Sequence, residues 1–140
     1  MAVTHEHPID VSESDMDDLG HVNNLRYLEW ILQAAKGHSA ANGWPRDRYL
    51  QSGCAWVVRS HNIEYLKPAF AGDQLVVRTW VTSIGKVLSD RSYEIIRKKE
   101  GEILVKASTC WAYVDFQKQV PRRIPQELRD AFTIKEESGA

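Results

Sequence analysis

Residues 23–36 read NNLRYLEWILQAAK, and this stretch decides the fold because its apolar residues return with the period of a helix. At about 100° per residue, one set of these residues falls on a single arc, which we expect to face the core. The opposite side carries charged and amide side chains, so the pattern is that of an amphipathic helix packed on another layer. The arc consists of Leu25, Leu28, Leu32 and Ala35.

The sequence also indicates both ends of this helix. Asn23 or Asn24 is a suitable N-cap, because a short side-chain oxygen can accept a hydrogen bond from the helix start. Asn42-Gly43 followed by Pro45 is typical of a helix end. The spacing predicts one helix of about 18 residues. Trp30 falls outside the apolar arc and is expected at the rim of a sheet or at a subunit interface, or else in the wall of a ligand pocket.

Four β-rich runs follow the helix. They are rich in Val, Ile, Thr, Trp and Tyr, which favour strands. Gly85-Lys86 and Glu100-Gly101 separate the last three runs, and such short connections predict antiparallel hairpins. The runs are Cys54–Tyr65, Gln74–Ile84, Leu88–Lys98 and Ile103–Phe116.

Shorter elements flank this central pattern. Ile9 and Val11 alternate with polar residues and predict a short first strand, while Gln126–Phe132 predicts a short terminal helix. Residues 136–140 are expected to be frayed. This order predicts one α+β domain over residues 1–140, with a core from about 7 to 132 and a long central helix wrapped by a five-stranded antiparallel sheet. Because the long C-terminal strands leave sheet edges to be paired, we expect a homodimer or homotetramer.

Composition excludes several classes of protein. The chain has 140 residues, with 18 basic and 19 acidic side chains and a net charge of −1, which is too balanced for a nucleic-acid binder. No window is apolar for long enough to span a membrane, and Met1–Glu6 lacks the features of a signal peptide. Cys54 and Cys110 form no C-x-x-C pattern and are predicted to be free thiols in strands. We therefore expect a cytoplasmic location.

The loop before the helix carries the candidate chemistry. Residues 14–24 read SDMDDLGHVNN, which places three carboxylates, a glycine and a histidine between a strand and a helix. Gly20 would let the backbone approach a ligand closely, and the free N–H groups of the helix start form a potential oxyanion site. A solvated loop with a helix cap is the structural alternative, because Asp and Asn are common there.

Residues 15–30, DMDDLGHVNNLRYLEW, resemble the signature of the hotdog-fold acyl-CoA thioesterases of the 4-hydroxybenzoyl-CoA thioesterase type. The His-Val-Asn-Asn run is also similar to plant acyl-carrier-protein thioesterases. Weaker similarities follow in the expected order at Ile63–Pro68, at Gly72-Asp73 and at Ile124–Leu128. The resemblance implies a hotdog fold and hydrolysis of an acyl-CoA, or of an acyl-carrier-protein thioester, without a cofactor.

The resemblance also implies roles for individual residues. Asp17 matches the catalytic carboxylate, which acts as nucleophile on the thioester carbonyl or as general base on water. The backbone N–H groups around Asn23 and Asn24 would polarise that carbonyl. His21 matches a histidine of the plant enzymes, but Leu19 stands where those enzymes carry a catalytic asparagine, so the plant mechanism does not carry over whole.

The remaining charged and titratable residues receive separate predictions. Lys86 and Arg91 are expected at the surface, where they could pair with the phosphates of coenzyme A. His5-Glu6-His7 lacks a third ligand nearby, so no metal site is predicted. His38 is expected on the surface near the helix end, and His61 is expected to be a hydrogen-bonded strand residue.

Two other functions remain open from the sequence. A hotdog dehydratase or hydratase would use the same fold for different chemistry, because a fold alone does not fix function. In a non-catalytic acyl-binding or scaffold protein, Asp17 would only cap the helix. The loop placed directly before the helix favours the thioesterase over the dehydratase or hydratase, whereas an assay with a panel of acyl-CoAs is needed to separate all three functions.

Overall fold

The computed structural model describes residues 3–136, so residues 137–140, where we expected fraying, lie outside the described part. A 3₁₀ turn at Glu13–Asp15 follows the first strand. The strands are β1 (Thr4–Asp10), β2 (Cys54–Tyr65), β3 (Gln74–Ile84), β4 (Leu88–Arg97), β5 (Glu102–Asp115) and β6 (Val120–Pro121), and the helices are α1 (Asn24–Ala41), α2 (Arg46–Ser52) and α3 (Gln126–Asp130).

The strands form one antiparallel sheet in the order β1-β3-β4-β5-β2. Both predicted hairpins, β3–β4 and β4–β5, are confirmed. The predicted count of five strands is one short, because β6 pairs with the end of β5. Asp115 Oδ1 accepts the backbone N–H groups of Gln117 and Lys118 and bends the chain back there. The sheet edges are β1 and β2, whereas the long C-terminal strands that we expected at an edge lie inside the sheet.

The central helix has the predicted length, but it buries a different face. Asn23 is the N-cap, since its side chain accepts the N–H of Leu25, and α1 has 18 residues. Leu25 is 66% exposed, whereas Trp30, expected at a rim, is buried with its ring edge-on to Tyr27. Burying two large aromatic rings removes more apolar surface from water than burying Leu25 would. The buried face consists of Tyr27, Trp30, Ile31, Ala34, Ala35 and His38.

The helix α2 was not predicted. Pro45, which we took as the end of α1, is also the N-cap residue of α2, and Gly53 closes α2 in the left-handed conformation at φ 78°. A second small core lies beyond α2, apart from the main core between α1 and the sheet. Its buried members are Trp44, Tyr113, Ile124, Leu128 and Ala131.

Candidate active site

The loop that carries Asp17 is a tight turn directly before α1. Met16 and Val22 form an isolated antiparallel bridge, and Asp17 N donates to the carbonyl of His21 over 2.7 Å. Gly20 closes the turn at φ 79°, a left-handed conformation that favours glycine. A Cβ at Gly20 would meet nothing within 4 Å, so the backbone conformation, and not crowding by other residues, favours glycine here, and the close approach of a ligand stays a prediction.

The Asp17 carboxylate is held by the backbone of its own turn. Oδ1 accepts the N–H of Leu19 over 2.9 Å and the N–H of His21 over 3.1 Å. Across residues 3–136, no hydrogen bond goes to Oδ2. The carboxylate is half-buried, so it combines a fixed orientation with one available oxygen.

The helix start next to this turn has one uncommitted N–H group. Asn23 N donates to the carbonyl of Asp15 over 2.8 Å, and Arg26 N donates to the carbonyl of Asn23 over 2.9 Å. Leu25 N is capped by Asn23 Oδ1 over 2.9 Å. The Asn24 N–H has no acceptor among the described residues. Of the backbone N–H groups of Asn23 and Asn24, which the sequence singled out, the Asn24 N–H is therefore the unoccupied donor.

The connection between β2 and β3 packs against this turn. Ala69 N donates to the hydroxyl of Tyr27 over 3.0 Å, and the Ala69 carbonyl accepts the N–H of Val22 over 3.2 Å. The exposed His21 ring lies edge-on to Phe70, with centroids 5.9 Å apart. Several large apolar side chains of this end are exposed, including Leu19, Leu25, Tyr65, Leu66 and Phe70.

The two basic residues predicted to meet coenzyme A have different environments. Lys86 is exposed in the turn between β3 and β4. Arg91 is only 6% exposed, so its predicted surface position is wrong, and His38, predicted at the surface, is 2% exposed. Burial lowers the pKa of the Arg91 guanidinium. A coenzyme A contact remains a prediction for Lys86, whereas a buried Arg91 is poorly placed for a nucleotide.

Arg91 lies in the wall of a cavity of about 370 Å³ at the far end of α1. The cavity separates the second half of α1 from the inner face of the sheet, and α2 and the C-terminal segment close its sides. Lys36 and Arg46 are exposed lining residues at its rim. The walls are mainly apolar and aromatic and include Tyr49, Trp56, Val81, Ile84, Trp111 and Phe132.

Most hydroxyl groups in this cavity are already paired. Ser39 Oγ lies 2.8 Å from the hydroxyl of Tyr49, and Trp56 Nε1 donates to the same hydroxyl over 3.1 Å. Burial raises the pKa of Tyr49, which keeps it a neutral phenol. Ser89 Oγ donates to the carbonyl of Ser83 over 2.9 Å. The guanidinium of Arg91 is the charged group of the cavity wall that is itself buried.

A periodic signal in the sequence could have located Arg91. Along β4, alternate residues face α1, and Ser89, Tyr93 and Arg91 all belong to this buried set. An arginine at an inward position of an alternating strand is unusual, because arginine is rarely buried unless it is paired. His38 carries a similar signal, since it lies four residues after the buried Ala34 on α1.

His5 and His61 make contacts within the fold and lie outside the Asp17 turn. His5 stacks on His38 with centroids 5.4 Å apart, and burial lowers its pKa. His61 Nδ1 lies 2.8 Å from the hydroxyl of Thr109, as the sequence predicted for a strand histidine, and burial lowers its pKa too. Within residues 3–136, no group of three His, Cys, Asp or Glu side chains is placed to hold a metal ion.

Comparison with known proteins identifies the class. Slr0204, a 1,4-dihydroxy-2-naphthoyl-CoA thioesterase from Synechocystis, has the same fold at a TM-score of 0.84 and 21% identity, covering 91% of this chain and 94% of that one. The fold is therefore the hotdog fold, as predicted. The chain matches the acyl-ACP thioesterase N-terminal domain over residues 2–132, and it belongs to that family.

Two relatives of known name show how far the similarity extends. The long-chain acyl-CoA thioesterase FadM of Escherichia coli is 28% identical over 115 residues, which are 82% of this chain and 86% of FadM. The acyl-[acyl-carrier-protein] hydrolase FATB3 of Cuphea viscosissima is 35% identical over 74 residues, or 53% of this chain. The chain matches 18% of the length of FATB3. The predicted resemblance to hotdog thioesterases is confirmed. None of the helices in the described part of the chain is long and apolar enough to cross a membrane.

Proposed function

We propose that this protein hydrolyses acyl-CoA thioesters, with Asp17 as the reacting carboxylate and the Asn24 N–H as a donor to the carbonyl oxygen. The observation that carries the proposal is the pairing of a fixed carboxylate with an unoccupied helix N–H at one end of α1. The bridge between Met16 and Val22 fixes the loop relative to the helix start. A donor aimed at the oxyanion stabilises the transition state by about 3 kcal/mol.

Two routes to hydrolysis use this geometry. In the first, Asp17 Oδ2 takes a proton from water, the water oxygen attacks the carbonyl carbon, and the C–S bond breaks to release the thiol. In the second, Oδ2 attacks the carbonyl carbon directly, the thiolate leaves, and water then hydrolyses the mixed anhydride. Both routes place negative charge on the former carbonyl oxygen, where the Asn24 N–H stabilises it, and both yield a carboxylic acid and a thiol.

Coenzyme A is favoured over acyl carrier protein as the thiol carrier. FadM, whose name states an acyl-CoA substrate, aligns with 86% of its own length. Of the relatives named for acyl carrier protein, FATB3 aligns with 18% of its length and ATL3 of Arabidopsis thaliana with 69%. The chain thus matches a larger share of the acyl-CoA relative than of either acyl-carrier-protein relative. The exposed Lys86 is our candidate for a coenzyme A phosphate.

A homodimer through β2 is part of this proposal. β1 is a seven-residue edge that contains Pro8, a residue that blunts an edge because it has no N–H to donate. β2 is a twelve-residue edge without proline, and its register on β5 shifts once, between Val58 and Ser60. Val57 and Val58 are exposed on it. A long edge with exposed valines favours pairing with a second copy.

Pairing of two β2 strands would also complete the site. Ala55 and Trp56, at the start of β2, line the cavity. Tyr65, at its end, lies with its ring 5.6 Å from that of Tyr27 in the first turn of α1. Antiparallel pairing brings the start of one strand beside the end of the other, so the cavity of one chain lies beside the Asp17 turn of its partner. Within one chain, Asn24 and Ala35 are eleven helical steps apart, which is about 16 Å along the helix.

The test is a thiol-release assay with the purified protein and a panel of acyl-CoA thioesters. The proposal expects release of coenzyme A and free acid in equal amounts. Reversible addition of water to 2-enoyl-CoA without thiol release would instead identify a hydratase. Binding of acyl-CoA without any turnover would identify an acyl-binding protein.

A further inference from the structure

The cavity at the end of α1 contains a buried cation that has no counter-ion in the described part of the chain. Arg91 is 6% exposed, and no carboxylate in residues 3–136 lies within 4.0 Å of its guanidinium. Arginine remains protonated even where burial lowers its pKa. Since a buried charge is destabilising unless it is paired, an unpaired arginine in a cavity wall points to an anionic partner that enters the cavity.

The hydrogen bonds of Arg91 leave one edge of its guanidinium unused. Nη1 donates to Nδ1 of His38 over 2.9 Å and to the hydroxyl of Thr79 over 3.1 Å. The described residues accept no hydrogen bond from Nε or Nη2. The Nε–H and one Nη2–H are parallel donors in a planar fork, which matches the two oxygens of a carboxylate.

We propose that the cavity binds the distal end of an acyl group that terminates in a carboxylate, with Arg91 Nε and Nη2 donating to the two carboxylate oxygens. The inference rests on the proposed function and names its substrate class: the coenzyme A monothioesters of dicarboxylic acids. The aromatic and aliphatic walls around Trp56 and Trp111 contact the methylene chain, and Arg91 neutralises its end.

The environment of Arg91 favours a carboxylate over other anions. Phe132 lies with its ring centroid 5.9 Å from the guanidinium carbon, and apolar side chains form most of the remaining wall. A coenzyme A phosphate is attached to a bulky, strongly hydrated nucleotide, which an apolar cavity of this kind cannot bury together with the phosphate. A carboxylate at the end of an alkyl chain brings its own apolar stem, which the wall can bury.

The experiment compares three matched series of coenzyme A thioesters with chains of six, eight and ten carbons. The first series ends in a carboxylate, the second in its methyl ester and the third in a methyl group. At the best chain length, kcat/KM for the carboxylate should exceed that for the ester by at least about tenfold, because charge-assisted hydrogen bonds contribute about that factor or more.

Variants distinguish recognition of the carboxylate by Arg91 from a general attraction by nearby positive charge. Arg91→Met should lower kcat/KM for the carboxylate series about tenfold to a hundredfold more than it lowers kcat/KM for the methyl series. Arg91→Lys should retain part of the preference, since an ammonium has charge but no fork. Arg46→Met, at the exposed rim, is the matched control and should retain the full preference.

A second measurement does not depend on turnover or on a folded variant. In the wild-type protein, the free dicarboxylic acid of the best length should raise the melting temperature, and its dimethyl ester, which has no carboxylate, should raise it less. Equal kcat/KM for the three series at every length, or equal protection by acid and ester, would overturn the inference while leaving the thioesterase proposal intact. Absence of thiol release from every thioester, with protection by the diacid still present, would overturn the proposed function instead.

Discussion

Nδ1 of His38 accepts a hydrogen bond from Nη1 of Arg91 over 2.9 Å, between two side chains that are both almost fully buried. A guanidinium has no acceptor, so Nδ1 of His38 is the acceptor in this hydrogen bond. His38 thus fixes one edge of Arg91 from α1 and leaves the other edge to the cavity. The contact links the central helix to β4 at the place where a ligand would be recognised.

Removal of this acceptor should destabilise the fold. His38→Leu leaves a buried N–H of Arg91 without a partner, and we expect the free energy of unfolding to fall by about 1–3 kcal/mol. His38→Gln retains a side-chain acceptor and should lose less. Chemical denaturation of the wild type and the two variants measures the free energy of unfolding of each protein. A His38→Leu variant as stable as the wild type would contradict the prediction.

Asp17→Asn should lower kcat by at least about a hundredfold, because the amide keeps the size of the side chain but loses its charge and basicity. Oδ1 of the amide can still accept the N–H groups of Leu19 and His21, so the turn should persist. Asp18→Asn, on the neighbouring exposed residue, is the matched control and should lose little. His21→Ala should fall between the two. Near-normal kcat in Asp17→Asn with several acyl-CoA thioesters would redirect the search to His21.

Asn24→Pro tests the proposed oxyanion donor without removing the helix. Proline is well tolerated at the first helical position, and Asn23 already has the extended conformation that a following proline requires, at φ −61° and ψ 133°. The loss of the N–H should lower kcat about a hundredfold to a thousandfold, with the melting temperature nearly unchanged. Asn24→Ala keeps the N–H and should keep kcat.

Asn23→Ala is the complementary variant, since it removes the cap and leaves the donor in place. We expect it to lower the free energy of unfolding by about 1 kcal/mol. Equal kcat values for Asn24→Pro and Asn24→Ala would rule out the Asn24 N–H as the donor.

Charge on the β2 edge should disrupt assembly. Val57→Lys places an ammonium on the proposed dimer edge, and light scattering should then report half the mass of the wild-type particle. Val120→Lys is the control: the Val120 side chain, on β6, is also exposed, and the same charge there should leave the mass unchanged. A wild-type protein that is monomeric and fully active would contradict the composite site.

Mixed dimers test whether two chains share one site. A dimer of one Asp17→Asn chain and one Arg91→Met chain contains a composite site with both residues intact only if the cavity serves the partner's Asp17. After subunit exchange in an equal mixture, about half of the dimers are mixed and each has one intact site of two, so the mixture should recover about a quarter of the wild-type activity on the carboxylate-ended thioester. Sites confined to single chains would give no restoration.

The sequence predicted the elements better than it predicted their faces. Periodicity located α1 and the four long strands nearly to the residue, because turn residues such as Gly85 and Gly101 mark their ends. The prediction of the buried face of α1 is wrong, because the predicted arc follows the leucines, whereas the sheet buries Tyr27 and Trp30. Which face of a helix is buried depends on the layer that packs against it, and a local sequence pattern does not contain that information.

The candidate site divides in the same way. Asp17 and the helix start are adjacent along the chain, so a local motif is sufficient to predict that they lie together. Arg91 and His38 are 53 residues apart, and their contact depends on how α1 lies across β4. The prediction that Arg91 lies at the surface used only its charge. The alternation of buried residues along β4 indicates instead that Arg91 is buried.

The unequal edges of the sheet have a consequence for growth of the assembly. In the proposed dimer, two-fold pairing through β2 would occupy the open edge of both chains, and the double sheet would present a short β1 with its Pro8 at each outer end. A third copy would then find no edge with a complete row of donors, so addition would stop at a closed particle rather than continue into a filament. Pro8→Val would restore the missing donor, and the outer strands could then serve as templates for open-ended aggregation.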